Sequence, residues 1–497
     1  MVKTAWRAVL MMSIICILIT SISVFNEAGI DTQRNYYLTA SAAPAVNEKH
    51  PETTPENAWL TGWGQRIKLT ISHANIDTPL VNFPVMIFLS TYSGTSSTNL
   101  HFIFDELEND DNRKKIAVTT ADGETQCYVE VERWSTATRE AWLWVKVPFI
   151  SDTVDTELFF YYDKNQFDNT EMVGDTQSVP AENVWDDNFK MVLHLGESSN
   201  GTIGEFKDSS GIGHHATGSA RGNSKFPEIV SGRIGDGQLF ENNYIEVPDS
   251  DDFSPSCNQG LTVSFWVSPG VLNMANRGDY THYLGKCDSN QNEWIFRIYN
   301  KDETDRPQRV SFYVFNLEGG LGAGAYSERP IEVNEWLNIT GRIDQDYIYF
   351  YRNGVLAGQS RYTTASGDIP SIELQNGTAP LRIGTGDLRG WFIGRIDEVR
   401  LSNVSRPSAW IKAGYYSESD RLIEYSDFIK SGEMFAAENG PGQTSISCID
   451  AEGDAEREAD VPAARSYLIY IIIAILVLIA ITTTIVLLYR HHRFRKY

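Results

Sequence analysis

Cysteine and basic charge are what this sequence has least of. Five cysteines in 497 residues cannot staple a disulfide scaffold, and no two have the short spacing of a zinc ribbon or a redox motif. Cys16 lies in an N-terminal apolar run. Of the others, only Cys257 and Cys287 share a predicted domain, where either a bridge or two buried thiols is compatible with the spacing. A bridge closing that loop would stabilise by about 3–4 kcal/mol. Lys and Arg number 42 against 65 Asp and Glu, a net charge of −23. So acidic a chain repels phosphate backbones and has no basic stripe, which argues against nucleic acid as a partner. A hydrophobic share of 42% nevertheless excludes a disordered polyelectrolyte.

Both ends address a membrane. Lys3 and Arg7 precede an apolar stretch from Ala8 to Phe25, the charged start and greasy middle of a secretory signal or N-terminal anchor, assigned to residues 1–28. Near the other end, Tyr467 to Leu488 carries no charge. As a helix it would span roughly 33 Å, enough for a hydrocarbon core of about 30 Å. Tyr467, Tyr470 and Tyr489 sit at its ends and Arg490, Arg493, Arg495 and Lys496 follow, which predicts a transmembrane helix over 467–489 and a cytoplasmic basic tail over 490–497. The expected location is a single-pass cell membrane protein with an extracellular ectodomain. Residues 29–58 and 433–465 are polar and poor in large apolar side chains, and read as a linker and an acidic stalk.

Between the ends the apolar period is two, and no helix longer than a turn or two is expected. From Trp59 to about residue 165 the runs RIKLTI, FPVMIFL, CYVEVERW, AWLWVKVPF and ELFFYY predict a small antiparallel sandwich. In one of them Ala141, Leu143, Val145 and Val147 alternate with Trp142, Trp144 and Lys146. A second all-β module follows over 183–425. There YIYFYRNGVLAG predicts two strands joined by an Asn353-Gly354 hairpin turn. Ile396 and Val399 cannot both face inward on an unbroken strand, so a β-bulge is expected near Asp397 and Glu398, where it would re-aim one carboxylate. Sequons at Asn200, Asn338, Asn376 and Asn403 are candidate glycosylation sites. Asn338 is expected on an outward strand face able to carry a glycan.

The stretches VWDDNFKMVLHLGE, FKDSSGIGHHAT, GQLFENNYIEVPDSDDF, LTVSFWVSP, NEWLNITGRID and WFIGRIDEVRLSNVSRPSAWI resemble the concanavalin A-like, laminin-G-like jelly roll. The first module resembles an uncharacterised domain that precedes such jelly rolls in prokaryotic, including archaeal, cell-surface proteins. The resemblance implies two packed antiparallel sheets with first and last strands adjacent, and a structural Ca²⁺ near that junction with Asp208 and Asp397 as ligands. Read from the residues alone, Asp208 could equally cap a turn and Asp397 bond neighbouring backbone. Two carboxylates are few for an ion that takes six to eight oxygens.

No catalytic signature is present. The laminarinase-type Glu-x-Asp-x-x-Glu string, the Gly-x-Ser-x-Gly elbow, a phosphate-cradling loop and a dinucleotide fingerprint are all missing. Glu130 and Glu132 read as a solvated strand edge. His194, His214, His215 and Glu197 are too poorly spaced for a zinc site, the acidic run Asp249, Asp251 and Asp252 reads as a solvated loop, and the Tyr347, Tyr349 and Tyr351 stripe reads as core. The leading expectation is a non-catalytic, membrane-anchored recognition or adhesion protein that binds glycan or an envelope protein. A structural spacer and an unusual glycosidase are the alternatives.

Overall fold

The computed structural model describes residues 59–272, 280–300, 302–363 and 372–430. The signal or anchor over 1–28, the linker, the stalk, the transmembrane span and the basic tail lie outside the described residues. Among the described residues no helix is long and apolar enough to cross a membrane.

All five alternating runs of the first module are strands: Gln65–Ile71, Leu80–Leu89, Val129–Ser135, Glu140–Ile150 and Thr156–Tyr162. They divide between two sheets. One orders Ile423–Tyr425, Gln65–Ile71, Thr156–Tyr162, Ile116–Thr120 and Gln126–Cys127; the other orders Leu80–Leu89, Glu140–Ile150, Val129–Ser135 and Val173–Asp175. Ala141, Leu143, Val145 and Val147 enter the sandwich core. Trp142 and Trp144 point the other way, as their alternation requires. They are not solvated there. They pack with Trp185, Phe189, Val192 and Ile234 of the second module.

The second module is two packed sheets around one apolar core. The first orders Thr217–Ala220, Asn243–Val247, Leu381–Ile383, Tyr280–Asp288, Gln291–Tyr299, Val310–Phe315 and Gly322–Tyr326. The second orders Glu228–Ser231, Asp236–Glu241, Ile393–Ser402, Leu261–Pro269, Leu337–Ile343, Tyr347–Arg352 and Val355–Arg361. Phe189–Leu193 pairs with Ile393–Ser402, the adjacency of early and late strands that the resemblance implied. Asn353 and Gly354 adopt φ of +52° and +75°, as a two-residue turn needs, and Arg352 pairs with Val355 across it.

Two expectations are corrected. An 11-residue helix, Ser408–Glu418, follows Pro407; it is longer than the sequence suggested. It lies between the modules: Met86 N donates to Ser417 Oγ at 2.8 Å, and Trp266 Nε1 to Glu418 Oε2 at 2.6 Å. Beyond it the chain leaves the jelly roll, and Ile423–Tyr425 and Ile429–Lys430 pair with Gln65–Ile71 of the first module. The modules are therefore interlocked rather than strung in series, and the described residues fall in one compact unit.

Candidate functional site

The expected bulge is present. Ser264 pairs with Arg400 and Trp266 with Asp397, so Glu398 and Val399 together oppose Phe265. Glu398 takes φ +54°, a left-handed conformation costly for a residue with a Cβ. The shift lets Ile396 and Val399 both face the core, and it turns Glu398 toward the first module. There Glu398 Oε1 lies 2.8 Å from His194 Nδ1, and Glu132 Oε2 lies 3.4 Å from the same nitrogen. On the far side of the ring, His194 Nε2 is 3.4 Å from Glu130 Oε1 without making a hydrogen bond.

Tryptophans and arginine frame this cluster. Trp144 Nε1 donates to Glu132 at 2.7 Å and Trp185 Nε1 to Glu130 at 2.8 Å. Ser209 Oγ and Thr176 Oγ1 also donate to Glu130. Arg400, its guanidinium carbon 4.1 Å from the Trp144 ring centroid, bonds Glu398 and reaches Glu418 at 2.5 Å. Burial would neutralise His194, but the Glu398, Glu132 and Glu130 carboxylates outweigh it and hold the imidazole well above its ordinary range. Burial pushes Glu132 up to about 8, aided by the Glu398 charge. Burial also raises Glu398, yet His194 and Arg400 overcome it and lower that carboxyl. Asp397 is raised by burial and by Glu398. The cluster opens onto a cleft of ≈ 330 Å³ lined by residues that include Glu132, His194, Glu197 and Lys207, and a 2.6 Å ion pair between Arg133 and Asp236 crosses from one module to the other at its wall.

Glu130 and Glu132 are thus not a solvated edge; the second module covers them. Their burial was hidden because the covering residues begin some fifty positions later. His214 and His215 do not join His194. His214 pairs with Asp252 at 3.0 Å, and His215 Nδ1 accepts from the Asp208 amide.

Asp208 is buried, and its carboxylate accepts from the amides of Val192, Ser210, Gly213 and His214 and from Ser210 Oγ. Asp397 Oδ2 accepts from the amides of Arg233 and Ile234. The oxygens of Asp208 are committed to protein donors, whereas Asp397 Oδ1 is buried without a hydrogen-bond partner; the two carboxylates together supply few of the six to eight oxygens that Ca²⁺ takes. The Cys257–Cys287 bridge is not formed. Cys287 is a free, buried thiol whose Sγ donates to the Trp294 carbonyl at 3.3 Å; burial pushes it up to about 12. Asn338 is corrected as well: only 3% exposed, it donates to Glu418 at 3.0 Å, because the unforeseen helix covers its strand face. Asn200 and Asn376 are exposed and Asn403 is half-buried.

A second surface went unnoticed in the sequence. On the outer face of the seven-stranded sheet, the Arg297 guanidinium carbon sits 4.0 Å from the ring centroids of both Tyr280 and Tyr313. Tyr313 stacks beside Phe315, centroids 6.0 Å apart and planes 24° apart. Arg306 Nη1 donates to the hydroxyls of Tyr299 and Tyr313, each at 2.9 Å. The edge strand beneath supplies Gly324, where any Cβ would strike the Tyr313 ring, so the rings can lie low over the backbone. Alternation in IFRIY and SFYVF was the available signal. In the Tyr347 to Tyr351 stripe, opposite the inward-facing Ile348 and Phe350, Tyr351 is buried as expected at 1% exposure with its hydroxyl 2.8 Å from Ser408 Oγ, whereas Tyr347 and Tyr349 are half-buried.

Residues 237–446 match the model of the Concanavalin A-like lectin/glucanases superfamily. No curated protein matches the chain. Among solved structures, domain 4 of a GH43 extracellular arabinanase from Geobacillus stearothermophilus, in complex with arabinotriose, is 17% identical with a TM-score of 0.34, covering 45% of this chain and 97% of that one. The binding domain of Paraclostridial Mosquitocidal Protein 1 is 18% identical, TM-score 0.35, covering 46% and 52%. The botulinum neurotoxin serotype G binding domain is 16% identical, TM-score 0.34, covering 46% and 51%; this chain spans about half the length of these last two. Residues 237–446, less than half of the chain, are therefore similar in sequence to the Concanavalin A-like lectin/glucanases superfamily.

Proposed function

We propose that this chain is a non-catalytic surface recognition protein whose jelly roll binds glycan through the aromatic and arginine face of its seven-stranded sheet. The observation that carries the reading is the Tyr280, Arg297, Tyr313 and Phe315 platform. Flat rings offer an apolar surface to the C–H face of a sugar, and Arg297 and Arg306 supply N–H donors for its hydroxyls. The lectin/glucanase match supports the same ligand class. In this reading the C-terminal apolar segment moors the ectodomain on the outer side of a membrane, as the order of apolar and basic residues suggests, and the exposed sequons are glycosylated. The junction calcium belongs to the proposal only as a condition to vary.

The test is a glycan array probed with the full chain in detergent, with and without Ca²⁺. A retained glycan whose affinity falls at least tenfold on Tyr313→Ala is expected. No retained glycan in either condition would overturn the reading in favour of a spacer, and undiminished binding by the variant would overturn the assignment of binding to this face.

A further inference from the structure

Five carboxyl groups, Glu130, Glu132, Asp397, Glu398 and Glu418, are packed between the two modules, and among the described residues two cations, His194 and Arg400, are paired with them. Burying charge costs several kcal/mol per ion unless it is compensated, and burial moves Glu132, Asp397 and Glu418 toward the neutral form. His194 keeps 5% of its exposure, and its Nε2 has no hydrogen bond. In the same cleft Glu197 Oε2 is buried and also lacks a hydrogen-bond partner.

The geometry there suits a metal. Single ligand atoms from Glu132, His194 and Glu398 lie within 4.8 Å of one another. A tetrahedral ion with ligands at about 2.0–2.1 Å holds them roughly 3.3 Å apart, and the two edges through His194 Nδ1 measure 2.8 and 3.4 Å. Behind the ring, Glu130 stands where metal-bound histidines usually find a carboxylate that orients them. We propose that Glu132, His194 and Glu398 form a site for one divalent ion of the zinc class, which bridges the first module to the second. One imidazole and two carboxylates suit such an ion better than Ca²⁺, which wants six to eight oxygens. On binding, the ion takes the place of the proton between Nδ1 and Glu398, and that proton leaves to solvent. The three side chains leave a coordination position for water from the cleft. The inference is independent of the glycan reading, since its residues lie on the other sheet and on the first module.

The full chain in detergent, stripped with a chelator, is titrated with ZnCl₂. One equivalent is expected to bind at micromolar affinity or tighter and to raise the Tm, with millimolar Ca²⁺ failing to compete. Glu132→Gln should weaken binding at least tenfold. Crystals soaked in zinc should show an anomalous peak between Glu132 Oε2, His194 Nδ1 and Glu398 Oε1, a readout that needs no variant. Absence of binding, zinc binding unchanged by Glu132→Gln, or a peak elsewhere would each overturn the proposal.

Discussion

At the scale of the residue, Asp420 shows how a single buried acid ties the modules together and what that costs. Its carboxylate accepts from the Gly94 amide of the first module at 2.8 Å, just past the end of the intermodule helix. Burial pushes it up to about 7, against the pull of that amide and of Arg233. A carboxyl raised in the folded chain contributes stability that is full below its unfolded value near 4 and is lost as pH rises through about 7. We therefore expect Asp420→Asn to flatten the loss of stability between pH 4 and 7, and to stabilise the chain relative to wild type at pH 8. Each tenfold difference in proton affinity is worth about 1.4 kcal/mol. Urea melts of both proteins across that range are the measurement; parallel pH profiles would sink the assignment. Single residues were unevenly legible. Glu398 was placed from the phase of Ile396 and Val399, which is a local constraint. The burial of Asn338 and Glu130 was not, because each depends on a surface supplied by another part of the chain.

At the scale of the element, the helix Ser408–Glu418 carries the most consequence. Its Trp410 ring meets Phe83 of the first module edge to face, centroids 4.7 Å apart, and the Arg406 guanidinium carbon lies 4.2 Å from the Trp410 centroid. Trp410→Ala should cost about 2–3 kcal/mol by removing this half-buried ring. Thermal melts would show a lowered Tm with strand content retained; an unchanged Tm would mean the helix does not hold the modules. This helix escaped notice because it is short and buries residues on more than one side, Ala409, Ile411, Ala413, Ser417 and Glu418, which blurs the apolar stripe by which a helix is recognised. Strands announced themselves better. Trp142 and Trp144 alternate with Leu143 and Val145, and the hairpin at Asn353-Gly354 carries its own turn chemistry.

For the whole molecule, the connection is what matters. Ile423–Tyr425 returns to pair with Gln65–Ile71, so the first module completes its sheet with residues that follow the jelly roll. A fragment of residues 59–182 leaves that edge open, and unpaired edges recruit other chains. Such a fragment should aggregate on size-exclusion chromatography while residues 59–430 stay monodisperse; a stable, monomeric fragment would show that the interlock is dispensable. The sequence by itself determined the all-β class, the strand faces, the turn at Asn353 and the bulge that aims Glu398, because a side-chain period of two and the tolerance of positive φ act over a few residues. Only the tertiary structure decided that the outward faces of Val129–Ser135 and Leu337–Ile343 would be buried, and that Glu132 and His194 would meet. An outward-facing polar group reads as solvated until something far along the chain is laid over it, and the sequence pattern of a strand does not record what covers its second face.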